Sequence, residues 1–528
     1  MVGPSSSHTA GAARVASMVR SLLASEPARV DFTLYGSFSH TDCGHGTDRA
    51  LVAGMLGLAA DDLAIRNSFE LAGERGLAFS FALDQKTRTP HPNTVDIRVE
   101  DAHGSVIEAR GVSIGGGAAE LTRIDGVDVA ITGEFNSMIV YQEDSPGVLA
   151  HISNRLSERH VNIGTVAMHR TAKGGTAFTV LEIDDLVPAD ALDEICAHPA
   201  IKSVRFVAAD GIARPEETLA PPAFPLDAQD TFDALDFTCG SDLLERCERQ
   251  DETIGEAFFA RERALMKSRM EAPEELAAYL TRILAVMRAS ATEPARHPVP
   301  SMGGLIGGEA AAVTALETEG AGLGPSGRLF ARSTAYALAV LETNASMGRI
   351  VAAPTAGSSG VLPAVLFALQ DERGFTDEQL ENAVANAAAI GCIISRNATV
   401  SGAEGGCQAE IGSASAMAAS AAVELLGGSP RACLNAAGLA IANLLGLVCD
   451  PVGGLVETPC QVRNASAAAN ALVSAQAALA GIASPAPFDE VVDALYRVGR
   501  SMPVELRETA LGGLAACPSC RKAPPTVG

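Results

Sequence analysis

Gly405-Gly406-Cys407-Gln408-Ala409-Glu410, Val448-Cys449-Asp450-Pro451-Val452-Gly453-Gly454 and Glu457-Thr458-Pro459-Cys460 set three cysteines beside glycine or proline in a region that otherwise reads as buried, alanine-rich helix. From 231 to 516 strand periodicity is almost absent and Ala/Leu helices are broken by Gly-rich loops, so this part is expected to be all-α. A free cysteine is a good buried residue, and for any one of the three that reading serves. Three of them on loops between helices favour a metal site. Iron–sulfur clusters ordinarily take four thiolates, so three would leave one iron open to a substrate. Cys407 and Cys460 each fall at an expected helix start, with Pro459 suited to the first helical position, so the helix dipole is expected to favour their thiolates.

Working outward, residues 1–127 mix a helix over 10–23 with alternating strands at Arg29–Tyr35 and Thr94–Glu100, an α/β pattern. Within 134–208 the periodicity predicts strand 136–142, an Asp144-Ser145-Pro146-Gly147 turn, helix 148–159, strands 161–172 and 175–184, helix 188–198 and strand 201–207, in the order βαββαβ. Residues 209–230 carry Pro215, Pro221, Pro222 and Pro225 among acidic residues, a linker composition. The chain is therefore expected to be multidomain: an N-terminal α/β domain, a central βαββαβ domain, a linker and a C-terminal all-α domain over 231–528. No internal repeat is evident.

Composition narrows the function classes. The 528 residues are 47% hydrophobic, ample for large cores. A formal charge of −24 argues against nucleic-acid or anionic-membrane partners, which need a basic surface. Eleven cysteines scattered over the chain, with no signal-peptide pattern after Met1, imply a reducing, cytoplasmic setting. The uncharged stretches 432–449 and 464–488 approach membrane-span length but contain Asn435, Asn443, Asn464, Asn470 and Gln476, so they read as buried helices.

Nine of the ten histidines precede the linker and only His297 follows it. A histidine serving the metal site is thus expected to come from the first domain. Three loops there suit polar chemistry: Gly3-Pro4-Ser5-Ser6-Ser7-His8-Thr9, Gly44-His45-Gly46-Thr47-Asp48 and Pro90-His91-Pro92-Asn93-Thr94. The first leads into a helix, as anion sites require, although a plain N-cap explains the same serines. In the helical part Ala353-Pro354-Thr355-Ala356-Gly357-Ser358-Ser359-Gly360 precedes an apolar helix and could grip a carboxylate through backbone amides; it lacks the Gly-Lys-Ser/Thr ending of a phosphate loop.

These motifs, with Ser401-Gly402-Ala403-Glu404-Gly405-Gly406-Cys407 and Cys449-Asp450-Pro451-Val452-Gly453-Gly454 through Cys460, resemble the bacterial iron–sulfur L-serine dehydratases over essentially the whole chain. The 136–207 unit resembles an ACT domain, a module that commonly binds amino acids at a domain-pair interface and that favours a homodimer. The resemblance implies a 4Fe-4S cluster on Cys407, Cys449 and Cys460, with the fourth iron acting as Lewis acid on the hydroxyl of L-serine, and aminoacrylate, then pyruvate and ammonia, as products. It implies His45 as acid–base residue, with His91 second. Ser5, Ser6, Ser7, His8, Thr9, Asn93, Thr94, Thr355, Gly357, Ser358 and Gly360 are the expected substrate contacts. Cys520, in Cys517-Pro518-Ser519-Cys520, fits a terminal cysteine of relatives that could reach the open iron when substrate is absent. Relatives usually carry further strand-like residues before the Gly3 motif, so an upstream start is expected.

Other readings leave marks the chain lacks. A pyridoxal-phosphate dehydratase needs a Schiff-base lysine, and Lys86, Lys173, Lys202, Lys267 and Lys522 sit in polar or terminal contexts. An amino-acid-sensing protein would need no cysteine trio, and an electron carrier would want four fixed ligands. Threonine in place of serine stays open, since one methyl is worth only about 1–3 kcal/mol in a pocket.

Overall fold

The computed structural model describes residues 2–3, 9–23, 25–41, 46–115, 117–170, 172–185, 187–207, 226–269, 272–318, 327–484 and 486–522. They fall into two compact units, one of Gly11–Ser39 with Thr47–Ala223, the other of Met1–Ala10, His40–Gly46 and Phe224–Gly528.

The first unit holds two sheets. A six-stranded sheet runs Ala78–Asp84, Pro27–Tyr35, Asn93–Asp101, Val106–Gly115, Ala118–Ile124, Val127–Ile131, with only the first pair parallel. Alternation puts Val30, Phe32, Leu34, Val95, Ile97 and Val99 in its core. The helix Gly11–Ser21 lies close on this sheet because Gly111 has no side chain: a Cβ there would sit 2.3 Å from Val15 Cγ1. The second sheet is antiparallel, in the order Ile201–Val207, Asn136–Glu143, Thr176–Ile183, Ile163–Arg170. Met138, Val140, Leu181 and Ile183 on one face pack against Val148, Ile152, Leu156 and Ile195 of the helices Val148–Glu158 and Ala189–Cys196. The expected βαββαβ order stands, as does the multidomain class. In its first turn Gly147 takes φ +94, while the Asp144 carboxylate accepts from the Gly174 amide and Arg170.

The second unit is helical. Two of its helices are apolar or small on every face and so are buried all round: Val361–Arg373 as far as Leu369 and Ser413–Leu425 as far as Val423. Helix starts carry their own signals: capping boxes at Thr253 with Glu256 and at Thr376 with Gln379, and Ser429 capping a helix that opens with Pro430. One strand departs from the all-helical expectation. Ile350–Val351 pairs antiparallel with Val2–Gly3, a match between distant segments that local periodicity does not register. Helix Leu226–Leu235 begins inside the segment read as linker. No helix among the described residues is long and apolar enough to cross a membrane.

Candidate functional site

Each of the three cysteines is presented by a loop with a specific local reason for its shape. Gly406 takes φ +73 and ψ −178, a combination open essentially to glycine. Any Cβ there would lie 2.5 Å from Met502 Sδ and 3.1 Å from the Leu447 carbonyl. Cys407 follows, at the head of a π-helical turn, Gln408–Gly412, of the kind often found at functional sites. Gln408 fastens that turn: its amide donates to Leu447 O (2.9 Å), its Oε1 accepts from Gly446 N (2.9 Å) and its Nε2 donates to Leu495 O (3.0 Å).

Cys449 is held through its own peptide groups. Its amide donates to Leu506 O and its carbonyl accepts from Glu508 N, both at 2.9 Å. Cys460 opens the helix Cys460–Leu479, with Pro459 at the cap one position earlier than the first-turn place expected for it. The loop before it is anchored by buried Glu457, whose two oxygens accept from the amides of Gly303 (2.7 Å) and Leu305 (2.9 Å).

The three thiols are 2%, 4% and 7% exposed for Cys407, Cys449 and Cys460, so water reaches none of them freely. The sulfurs of Cys407 and Cys449 and a carboxylate oxygen of Glu410 lie within 4.8 Å of one another, a set that could hold a metal ion. Cys460 lies outside that trio but feels the charge of Cys407, Glu410 and Glu508.

The electrostatics invert one expectation. Cys449 is pushed well up by its hydrogen bond with Cys407 and by burial, and Cys460 by burial first and then by Cys407 and Glu410. Burial leads at Cys460, and Arg463 pulls its thiol back towards the thiolate. Glu410 is raised to about 7 by burial, against the Thr355 hydroxyl, and Glu508 is raised by burial and by Glu410. Buried cysteines in mutual reach form a donor set suited to a bound metal, since coordination draws out the thiolates and balances their charge. The residues present fit a thiolate-held metal group.

The 354–360 loop borders the same place. Thr355 donates its hydroxyl to Glu410 Oε1 at 2.6 Å, and Ser358 lies 3.1 Å from Thr355 Oγ1. Glycines flank the Glu410 carboxylate: a Cβ at Gly357 would come within 3.2 Å of Oε1, and one at Gly402 within 2.7 Å of Oε2. Gly360 is turned elsewhere, its amide donating to Asn464 Oδ1 at 3.0 Å, so the expected carboxylate grip does not extend to it.

Of the other expected residues, Ser5, Ser6, Ser7, His8 and His45 lie outside the described residues. Buried Thr9 and the strand Val2–Gly3 belong to the helical unit. His91, Asn93 and Thr94 belong to the other unit, where His91 Nδ1 accepts from Asn93 N (3.1 Å) and Thr94 Oγ1 donates to His91 O (2.6 Å). Asn93 is buried with its Oδ1 unpaired. Cys520 is half-buried, in a short turn beyond the Gly513–Ala516 turn that Asp450 Oδ2 holds through Leu514 N (2.7 Å).

Glu410, Glu508, Arg463 and Asp450 complete the surroundings and were not among the residues expected from sequence. Glu410 and Arg463 each stand three positions after a cysteine at a helix start, which places them one turn on along the same face. That spacing was a usable signal. Glu508 offered none, because its approach depends on a left-handed backbone at φ +60.

Comparison with known proteins agrees with this layout. Residues 209–515 match the family model described as Serine dehydratase alpha chain, 1–121 that described as Serine dehydratase beta chain, and 137–200 the ACT domain. The chain belongs to the serine dehydratase family. It is 31% identical to the L-serine dehydratase of Streptomyces coelicolor over 97% of this chain and 96% of that one. It is 44% identical to the probable L-serine dehydratase alpha chain of Bacillus subtilis over 53% of this chain and 92% of that one. The probable beta chain of the same organism is 36% identical over 39% of this chain and 94% of its own length. Two polypeptides there correspond to one here.

Proposed function

We propose that this chain is an L-serine dehydratase, a lyase that removes water from L-serine to give aminoacrylate and hence pyruvate and ammonia. What supports the reading most is that buried Cys407 and Cys449, from separate loops, stand within metal-binding reach of one another, with buried Cys460 near enough to feel the charge of Cys407, in a chain of this family. These three residues would hold a 4Fe-4S cluster. When bound, such a cluster with one iron lacking a cysteine supplies Lewis acidity for the departing hydroxyl. His45 takes the α-proton, with His91 the second candidate, a task suited to imidazole near neutral pH. Thr355 spends its hydroxyl on Glu410 and so acts through that carboxylate's position. Gly357 and Ser358, with Ser5, Ser6, Ser7, His8, Thr9, Asn93 and Thr94, are the candidates for holding the substrate's carboxylate and amine. Cys520 is a candidate ligand from the tail.

The described cysteines are all free thiols, which supports a reducing, cytoplasmic setting, and the ACT unit supports a homodimer. Anaerobic purification, iron and sulfide analysis and a 2-oxo-acid assay that reads pyruvate from L-serine beside 2-oxobutanoate from L-threonine test the reading. Cys449→Ser is expected to lose cluster and pyruvate formation while the helices persist; full iron and activity in that variant would sink it. His45→Ala should lower kcat by at least about a hundredfold with the cluster spectrum intact.

A further inference from the structure

Arg463 has an unusually well fixed place beside the cysteine loops. It stands one turn after Cys460 on the Cys460–Leu479 helix, so the two side chains share a face. Its Nη1 donates to Val448 O at 2.9 Å and lies 2.8 Å from Asp450 Oδ1, which brackets Cys449 from both sides in sequence. The pair is sheltered, with side chains 17% and 3% exposed. Asp450 is in turn immobilised from the tail: Leu514 N donates to its other oxygen, and a Cβ on Gly513 would sit 2.2 Å from that oxygen. One guanidinium thus ties the helix that begins with Cys460 to the loop that carries Cys449.

We infer that Arg463 is a positioning residue for the metal-binding thiolates, fixing the Cys449 loop against the Cys460 helix and supplying the positive charge that the three sulfurs need once ionised. This rests on the metal-site reading above. The Arg463 guanidinium stands one turn from Cys460 and against the residues on both sides of Cys449. Lysine would keep the sign of the charge but lose the simultaneous grip on Val448 O and Asp450.

The test uses full-length, iron-loaded protein prepared without oxygen. Arg463→Gln is expected to keep its helical circular dichroism and take up iron. It should lose that iron to a chelator at least about tenfold faster than the parent, the usual scale for removing an outer-shell partner. Its midpoint potential should fall, because removing a nearby positive charge destabilises the more negative reduced state. Arg463→Lys is expected to retain iron within about threefold of the parent, with a midpoint between the two. Release rate and midpoint unchanged in Arg463→Gln would overturn the inference. So would equal loss in both variants at an unchanged midpoint, which would make the residue a packing element only. A parent protein that takes up no iron would remove the metal-site reading itself, a result separable from either.

Discussion

Replacing Gly406 by alanine isolates the contribution of one backbone conformation to the whole site. At φ +73, ψ −178 the residue occupies a region that side chains with a Cβ avoid at a cost of about 1–3 kcal/mol. The added methyl would also meet Met502 Sδ at 2.5 Å and the Leu447 carbonyl at 3.1 Å. The thioether can swing aside cheaply. The carbonyl cannot, since it accepts from Gln408 N and so fixes the turn that presents Cys407. Relief by rotating the peptide would carry Cys407 away from Cys449, and at about 1.4 kcal/mol per factor of ten the strained form would hold the sulfur correctly placed roughly five- to a hundredfold less often. Gly427→Ala is the control: its φ is +79 but nothing lies within 4 Å, so it carries only the left-handed penalty of about 1 kcal/mol and stands outside the site. Iron per chain after anaerobic reconstitution, pyruvate formation and thermal unfolding should be measured for both. Gly406→Ala should lose most iron and activity with a modest fall in Tm, and Gly427→Ala should show the fall in Tm alone. Equal iron content and activity in the two variants would refute the claim that Gly406's geometry sets Cys407.

Thr355→Val should lower kcat/KM for L-serine about tenfold or more by stranding the buried Glu410 carboxylate, with Thr355→Ser close to the parent; equal rates in the three proteins would detach the 354–360 loop from catalysis. The ACT unit should bind a small amino acid and alter the serine saturation curve, checked by calorimetry on the full chain and by kinetics after removal of 136–207; no heat and no kinetic change would leave the unit purely structural. Arg155 and Arg159 hold Glu194, and Arg159 holds Asp190, below their ordinary carboxylate values, so that stabilisation is complete above about pH 4.5 and is lost as pH falls through the lowered values. Arg159→Gln should accordingly flatten the acid-side loss of structure in this unit, and an unchanged acid profile would show the pairs to be immaterial.

The elements that could be read in advance are those whose cause is local. The Asp144–Gly147 turn, the alternation in Pro27–Tyr35 and Asn93–Asp101 and the capping residues Thr376 and Ser429 act within a few positions, and each produced the element it signals. The strand Ile350–Val351 did not show itself because its partner is Val2–Gly3, and two residues carry no period. The thiol environment escaped for a related reason. A helix start next to Cys460 argues for a thiolate in any exposed setting, but burial and the carboxylates of Glu410 and Glu508 arrive from segments remote in sequence and reverse the sign.

The cysteines and the polar residues around them differ in how strongly the chain constrains them. A thiolate ligand needs a backbone that can turn sharply, and a glycine or proline within two residues of each cysteine leaves that requirement written in the sequence. Arg463, Asp450 and Glu508 need only a helix face, a loop or one left-handed residue to reach the same place, and many residues would satisfy those conditions. Their importance follows from burial. In water the Arg463–Asp450 pair would be worth little, whereas with Asp450 almost fully buried breaking it leaves that carboxylate without its ion-pair partner beside the cysteine loops. The same burial that makes the thiols costly to ionise makes a nearby cation count, so the site depends on residues that only the folded chain identifies.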